Sequence, residues 1–324
     1  AAAGGEARDD VSAGSSSPRG PRALTAGEIT TISGSVSGLA ATMAKQPIQR
    51  LKWIRQVTPG TTTVPYVHVL RETIKEGGAL GLFRGSFAAV CRNVPHSALV
   101  YSIYPSAERL ALAALPASSS SGSSPSLPAS KQSFSTRFVA GYMTLFSATL
   151  VTHPLDTMRV RISVTHGHLS VPQVLMNLQR TGQLGSLYHG FGATLVGAGP
   201  RGAIGFGIFE TLKAIETPEP LRARPALAKF LYGYVAGFCA ETMIYPLDTV
   251  RRRQQALGDA TPLSKRNVFQ ALFLLARYEG VVGMFKGLPL NLIKNPVGTA
   301  VSFAVNDLVK DELQRNSKRS GERR

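Results

Sequence analysis

Pro246-Leu247-Asp248-Thr249-Val250-Arg251-Arg252-Arg253 packs a proline, an acid and three bases into eight residues, straight after a mostly apolar run over residues 230–245. The pattern also occurs upstream as Pro154-Leu155-Asp156-Thr157-Met158-Arg159-Val160-Arg161. A degraded copy stands at Pro47-Ile48-Gln49-Arg50-Leu51-Lys52. The three prolines are 107 and 92 residues apart, so one unit recurs about every hundred residues. Each copy ends an apolar segment in a proline and a charged cluster. Proline lacks an N–H and clashes with the preceding turn, so Pro47, Pro154 and Pro246 are expected to kink their helices.

Each unit continues in the same way. After residues 30–56 and a Pro/Gly/Thr loop, residues 67–76 read as a short amphipathic helix. Glu76-Gly77 is expected to end it, and Phe83-Arg84-Gly85 to open an apolar segment to about Leu112. The second unit has an apolar run over 138–151, a short helix over 171–180, Thr181-Gly182, Tyr188-His189-Gly190 and a long segment over 191–213. The third has a long segment over 226–255, a short helix over 268–278, Glu279-Gly280, Phe285-Lys286-Gly287 and a last helix to about Leu313. The pairs Gly34/Gly38 and Gly233/Gly237 give small-xxx-small faces suited to close helix packing in lipid.

The divisions that result are a disordered tail (1–26), repeat 1 (27–113), a Ser-rich flexible loop (114–132), repeat 2 (133–216), repeat 3 (225–314) and a basic, disordered C-terminal tail (315–324). The first tail has no apolar core for a signal peptide, and Glu6, Asp9 and Asp10 argue against a transit peptide.

Composition bounds the class. The chain has 324 residues, 44% hydrophobic and only 17% charged, which is low in charge for a soluble protein of this size. No uninterrupted run reaches the eighteen apolar residues of a plain spanning helix. Two readings stand at this point: a soluble helical protein, or a polytopic membrane protein whose helices line a wet cavity. The net charge of +17 fits nucleic acid, anionic lipid or an anionic small molecule. The aromatics form no base-stacking pattern, so nucleic acid is not expected. Cys91 and Cys239 lack metal-ligand spacing and read as small core residues. No Walker loop, nucleophile elbow or zinc motif is present, and no enzyme chemistry is expected.

The threefold Pro-x-acid-x-x-base pattern, in register with acid-Gly and aromatic-base-Gly downstream, resembles the mitochondrial carrier family over roughly residues 27–314. The resemblance implies an all-α membrane protein with six transmembrane helices in three pseudo-threefold repeats, each with a short matrix-side amphipathic helix. It implies alternating access between a matrix and a cytosolic gate, in the mitochondrial inner membrane or, in a minority of the family, another organelle. It also implies a monomer, in contact with membrane lipid, that needs no cofactor and leaves room for bound cardiolipin.

Carried onto this chain, the matrix gate would pair Asp156 with Arg251, Asp248 with Lys52 and Gln49 with Arg159. The last departs from the family, because glutamine cannot neutralise an arginine. Read as exposed ion pairs, these bonds would be worth about 0–1 kcal/mol each. Gln56 and Gln255 match the family's bracing glutamines; Ser163 does not. At the cytosolic gate Glu210 and Lys213 fit the motif, and Asp307 and Lys310 fit in charge. Tyr104-Pro105-Ser106-Ala107-Glu108 breaks it. A weak cytosolic gate would favour the matrix-open state.

The family reads its cargo at three points, which here would be Arg92-Asn93, Gly197-Ala198 and Lys294-Asn295. Arg252 would add charge for phosphates, with Arg201 a further candidate. Arg161 and Arg253 read instead as cations that snorkel to the interface or close a helix end. Glu241 is awkward in a phosphate cavity unless it pairs with a base. Around these points the chain looks like the mitochondrial coenzyme A carriers and their adenine-nucleotide relatives. The implied function is exchange of coenzyme A, adenosine 3′,5′-bisphosphate or ADP. The alternatives are another phosphorylated cargo (ATP-Mg/phosphate, thiamine pyrophosphate) or a non-transporting membrane scaffold.

Overall fold

The computed structural model describes residues 25–60, 65–114, 134–165, 167, 169–215, 224–258, 263 and 266–322. The tail expected at 1–26 lies outside them but for residues 25 and 26, and the Ser-rich loop expected at 114–132 but for residue 114. Among the described residues every regular element is helical. The first repeat supplies α1 (Ala26–Val57), α2 (Tyr66–Gly81) and α3 (Ser86–Ala114). The second supplies α4 (Phe134–Val164), α5 (Val171–Arg180), a 3-10 turn (Leu184–Tyr188) and α6 (Phe191–Ala214). The third supplies α7 (Pro225–Leu257), α8 (Val268–Met284) and α9 (Leu288–Glu322).

By their contacts the described residues form two compact units, one within 38–302 and the other of residues 25–37 with 303–322. The repeated prolines, both short-helix clusters and all of the matrix-side charges belong to the first.

The long helices run without a break through Pro47, Pro154 and Pro246. One missing hydrogen bond is tolerated where neighbouring helices hold the segment. Two small apolar clusters seat the short helices. Val174 and Leu178 of α5 pack with Met158, Ile162 and Ala88. Ala271 and Leu275 of α8 pack with Val250 and Ala193. Helix α5 also starts on a capping box, in which Ser170 and Gln173 satisfy one another's backbone N–H groups.

Three expectations are corrected. Helix α2 breaks at Gly78 (φ 62°), as α8 breaks at Gly280 (φ 67°). Each lies seven residues before a motif glycine, so the counterpart of Glu279 in repeat 1 is Gly77, not Glu76. Helix α9 runs past Leu313 to Glu322, so residues 315–322 of the tail expected to be disordered are helical; Glu312, Leu313, Gln314 and Arg315 are good helix formers, and no glycine or proline follows before Gly321. At Gly34, Gly38, Gly233 and Gly237 an added Cβ would meet nothing within 4 Å, so these faces are not close-packing surfaces. A small-residue spacing says that helices could approach, not which face they use.

No single described helix is long and apolar enough to cross a membrane by hydropathy. The pair formed by α8 and residues 288–317, bent by 56°, passes together. Polar residues inside the long helices dilute the signal, and they are the residues that build the site below.

The aromatic-base-Gly glycines Gly85, Gly190 and Gly287 have φ of 84°, 80° and 86°. A Cβ at Gly190 would stand 2.9 Å from the backbone oxygen of Arg251. Only glycine gives both that φ and that approach. Arg92, Gly197 and Lys294 each follow one of these glycines by seven residues, so the same turn sets the register of all three expected cargo points.

Candidate transport site and matrix gate

The charged ends of α1, α4 and α7 meet in one buried layer. Lys52 Nζ lies 2.9 Å from Asp248 Oδ2, both side chains being almost fully buried. Gln56 donates to the same carboxylate at 3.3 Å and to Thr249 Oγ1 at 3.1 Å. Asp156 Oδ2 accepts from Arg251 at 2.6 Å, Arg252 at 3.1 Å and Gln255 at 3.0 Å. Arg92 Nε approaches its other oxygen at 3.7 Å. Arg252 spans both acids, with its Nε 3.7 Å from Asp248 Oδ1, and it also donates to Gln255 Oε1 at 2.8 Å.

Burial changes the energetics expected of exposed pairs. Stripping one partner from a buried pair costs about 3–5 kcal/mol, because the other charge is left without water or a counter-ion. Arg252, expected at the cargo, is instead a strut of this layer. Its position one residue after Arg251 carries it on to the neighbouring acid as well.

The third side of the ring differs. Among the described residues no hydrogen bond or ion pair joins Gln49 and Arg159. The Arg159 guanidinium lies 5.0 Å from the centroid of the Trp53 ring, and that of Arg252 lies 4.9 Å from it. Trp53 is 1% exposed, so its ring is a desolvated cation–π partner for two guanidinia where the family has an acid.

A second set of arginines ties each repeat to the next. Arg161 Nε donates to the Gln255 carbonyl at 2.9 Å and Arg253 Nε to that of Gln56 at 3.0 Å. Repeat 1 has Ile54 at the corresponding place. Arg50, where the other copies have Thr157 and Thr249, donates to the Ser163 carbonyl at 3.0 Å and also to that of Gly81. Sequence reading missed Arg50, although a base in the place of two threonines is a visible signal. Arg253 is also held by both oxygens of Glu279, at 2.5 and 2.7 Å, and Lys286 reaches the same carboxylate at 2.9 Å.

Next to the gate lies a cavity of about 320 Å³, lined among others by Arg92, His96, Tyr142, Gly197, Ala198 and Arg201. A Cβ at Gly197 would stand 3.2 Å from Ile244 Cγ2, so the missing side chain lets α6 pack closely on α7 beside the cavity. Tyr142, which sequence reading did not single out, donates to the Leu195 carbonyl at 3.3 Å and stacks on Phe138. Asn93 accepts from Arg92 at 3.3 Å. Asn295 lines a separate groove with Lys229, Gly233 and Glu241. Lys294 has no hydrogen bond or ion pair among the described residues.

The comparisons with known proteins decide the family. The profile of the family described as Mitochondrial carrier protein matches residues 29–113, 130–218 and 222–317. This chain belongs to the mitochondrial carrier family. It is 31% identical over 289 residues to the mitochondrial coenzyme A transporter SLC25A42 of Xenopus tropicalis, covering 88% of this chain and 85% of that protein. The human protein of the same name is 31% identical over 284 residues, covering 86% of each chain. The probable envelope ADP,ATP carrier protein, chloroplastic, of Arabidopsis thaliana is 28% identical over 284 residues, covering 86% of this chain and 69% of that one. The chain is therefore a six-span membrane transporter and not an enzyme.

In this carrier the matrix-side layer is formed. One-to-one pairing undercounts it, since Asp156 gathers several donors and Trp53 stands in at the broken position. At the other gate Glu210 pairs within its own helix, 3.5 Å from Lys213. Asp307 and Lys310 lie on α9, one turn apart in the other unit.

Restoring the missing acid should strengthen the closed carrier. Gln49→Glu is expected to add about 1.5–3 kcal/mol by a charge-assisted bond to Arg159. The melting temperature should rise and exchange should slow, because opening then breaks one more bond. Faster exchange at an unchanged melting temperature would sink this account of the ring.

Proposed function

We propose that this carrier exchanges coenzyme A or a related adenine nucleotide, such as adenosine 3′,5′-bisphosphate or ADP, across the mitochondrial inner membrane by alternating access. The observation that supports the reading best is the cavity itself. Its lining combines the small residues Gly197 and Ala198 with Arg92 and Arg201, which suits a planar base beside anionic phosphates. Guanidinium groups bind phosphate in a bidentate way, and a partly dehydrated cavity strengthens such bonds. The names of the relatives point to the same class of cargo. Lys294 is the third contact in this reading, whereas Asn295, expected beside it, faces the separate groove; a single chain carries both the cavity and the gate, in keeping with a working monomer.

The direct test is exchange in liposomes containing the purified chain, loaded in turn with coenzyme A, ADP, ATP-Mg and thiamine pyrophosphate. Arg92→Ala and Lys294→Ala should each lower coenzyme A or ADP exchange by about 10- to 100-fold, the loss of one charge-assisted hydrogen bond, while the protein still assembles. Wild-type rates in both variants would remove these residues from the site. Uptake of thiamine pyrophosphate alone would replace the cargo, and no uptake of any probe would point to a scaffold.

A further inference from the structure

One continuous polar chain leads from the cavity wall to the gate. Arg201 NH1, on α6, lies 3.4 Å from Glu241 Oε1 on α7. Glu241 Oε2 accepts from Asn291 Nδ2, on α9, at 3.1 Å. Asn291 Oδ1 accepts from Lys52 Nζ, on α1, at 3.0 Å. The same ammonium holds Asp248 at 2.9 Å. Four helices from all three repeats take part.

Asn291 is the informative member. It is 1% exposed, so both ends of its amide need partners. An ammonium at one end and a carboxylate at the other fix its orientation; only an amide side chain of this length can accept from the first and donate to the second. The corresponding residues of the other repeats, four after the motif glycine, are Ala89 and Thr194. The link therefore exists once, and a core position that could have been apolar carries it.

We propose that Glu241 and Asn291 couple occupancy of the cavity to release of the matrix gate. The inference rests on the cargo reading above and names the two residues as positioning residues. In the empty carrier Glu241 is shared between Arg201 and Asn291. A phosphate of the cargo competes for the Arg201 guanidinium. The Glu241 carboxylate, losing its cation, leans on Asn291 and through it on Lys52. Lys52 then has two acids to serve, and its bond to Asp248 loosens. Cargo thus binds more tightly to the loosened gate than to the closed one, and that differential affinity is the only way in which a ligand can shift such an equilibrium. The same linkage lets the closed gate hold Arg201 on Glu241 and keep the empty cavity from opening.

The test uses the full chain. Trp53 is its single tryptophan and lies buried against Arg252 in the gate layer, so its emission reports on the gate. Coenzyme A and ADP are the probes, and binding is read separately as the rise in melting temperature. In the wild type either probe should raise the melting temperature and shift Trp53 emission to longer wavelength. In Asn291→Leu the rise should persist while the emission shift is lost. Turnover should fall about tenfold with KM nearly unchanged. Glu241→Gln keeps the shape of the side chain, but its single amide oxygen can accept from only one of Arg201 and Asn291, and it has no charge to pass on. It should lower turnover and also lower KM, because Arg201 is freed for cargo; a merely structural role would not lower KM.

A wild-type emission shift in Asn291→Leu, or a raised KM in Glu241→Gln, would overturn the link. Should Asn291→Leu fail to fold, Glu241→Gln decides by itself. If neither probe raises the wild-type melting temperature, the cargo reading falls and the link with it. A wild-type rise with unaltered behaviour in both variants overturns the link alone.

Discussion

Asp156→Asn should abolish exchange and lower the melting temperature of the carrier more than any other single change in the gate. The carboxylate is buried and accepts from Arg251, Arg252 and Gln255, with Arg92 close by. Asparagine keeps the shape, but it turns one acceptor oxygen into a donor and removes the only charge that these guanidinia share on this side. Leaving buried cations uncompensated costs about 3–5 kcal/mol, of the same order as half the stability of an ordinary domain. Arg252 retains Asp248, so the layer should splay at the α4–α7 contact rather than dissolve. The measurements are thermal unfolding of the purified variant and exchange in liposomes. Melting within a degree or two of wild type, with exchange preserved, would show that Asp156 does not hold the gate.

Arg253→Ala is the second large effect, and it acts on stability rather than on the cargo. The guanidinium is 3% exposed and makes two bonds to Glu279, one to the Gln56 carbonyl and one to that of Thr58. Truncation leaves Glu279 with Lys286 as its remaining cation and frees two carbonyls at the end of α1. The expected loss is again about 3–5 kcal/mol. The same cluster sets a pH dependence. Burial pushes the Glu279 carboxyl up, but hydrogen bonds from Arg253 and Lys286 outweigh it and hold the group below its usual value of 4.5. The folded form therefore binds this proton less readily than the unfolded chain. The stabilisation is fully present above the unfolded value and is lost as the pH falls through the depressed folded one. Acid melting curves should show this contribution in the wild type and lose it in Arg253→Ala. An acid limb that Arg253→Ala leaves unchanged would rule the cluster out as its source.

Much of the architecture was legible from the repeat. A proline, an acid and a base recur with the same spacing, and an aromatic-base-Gly turn follows each time, so the helix order and the gate acids could be read by register alone. Helix α5 could be bounded to the residue because its capping serine and proline are local signals. The end of α9 could not, since a solvated run of helix formers carries no stop signal short of Gly321. The pairings of Asp156 with Arg251 and of Asp248 with Lys52 followed from resemblance, not from spacing.

Other assignments needed three dimensions. Arg252 has the same composition and neighbourhood as Arg251, yet only the angle of α7 against α4 and α1 puts it between two carboxylates. Glu241 looked misplaced as a lone acid; Arg201 and Asn291, from two other helices, give it partners. Arg50 replaces the arginine missing at Ile54 from a different turn of the same helix. Gln49 was visibly one charge short, but that the ring of Trp53 faces Arg159 there was not visible.

The repeat, the helices, the family and the supply of charge at the matrix end can all be read along the chain. Those depend on local spacing, which a linear chain records. The tertiary structure decided which bases share which acid, and it turned pairs expected to be weak and wet into a buried layer. Which charges are desolvated, and who neutralises whom, depends on how α1, α4 and α7 meet, and no spacing within one helix contains that.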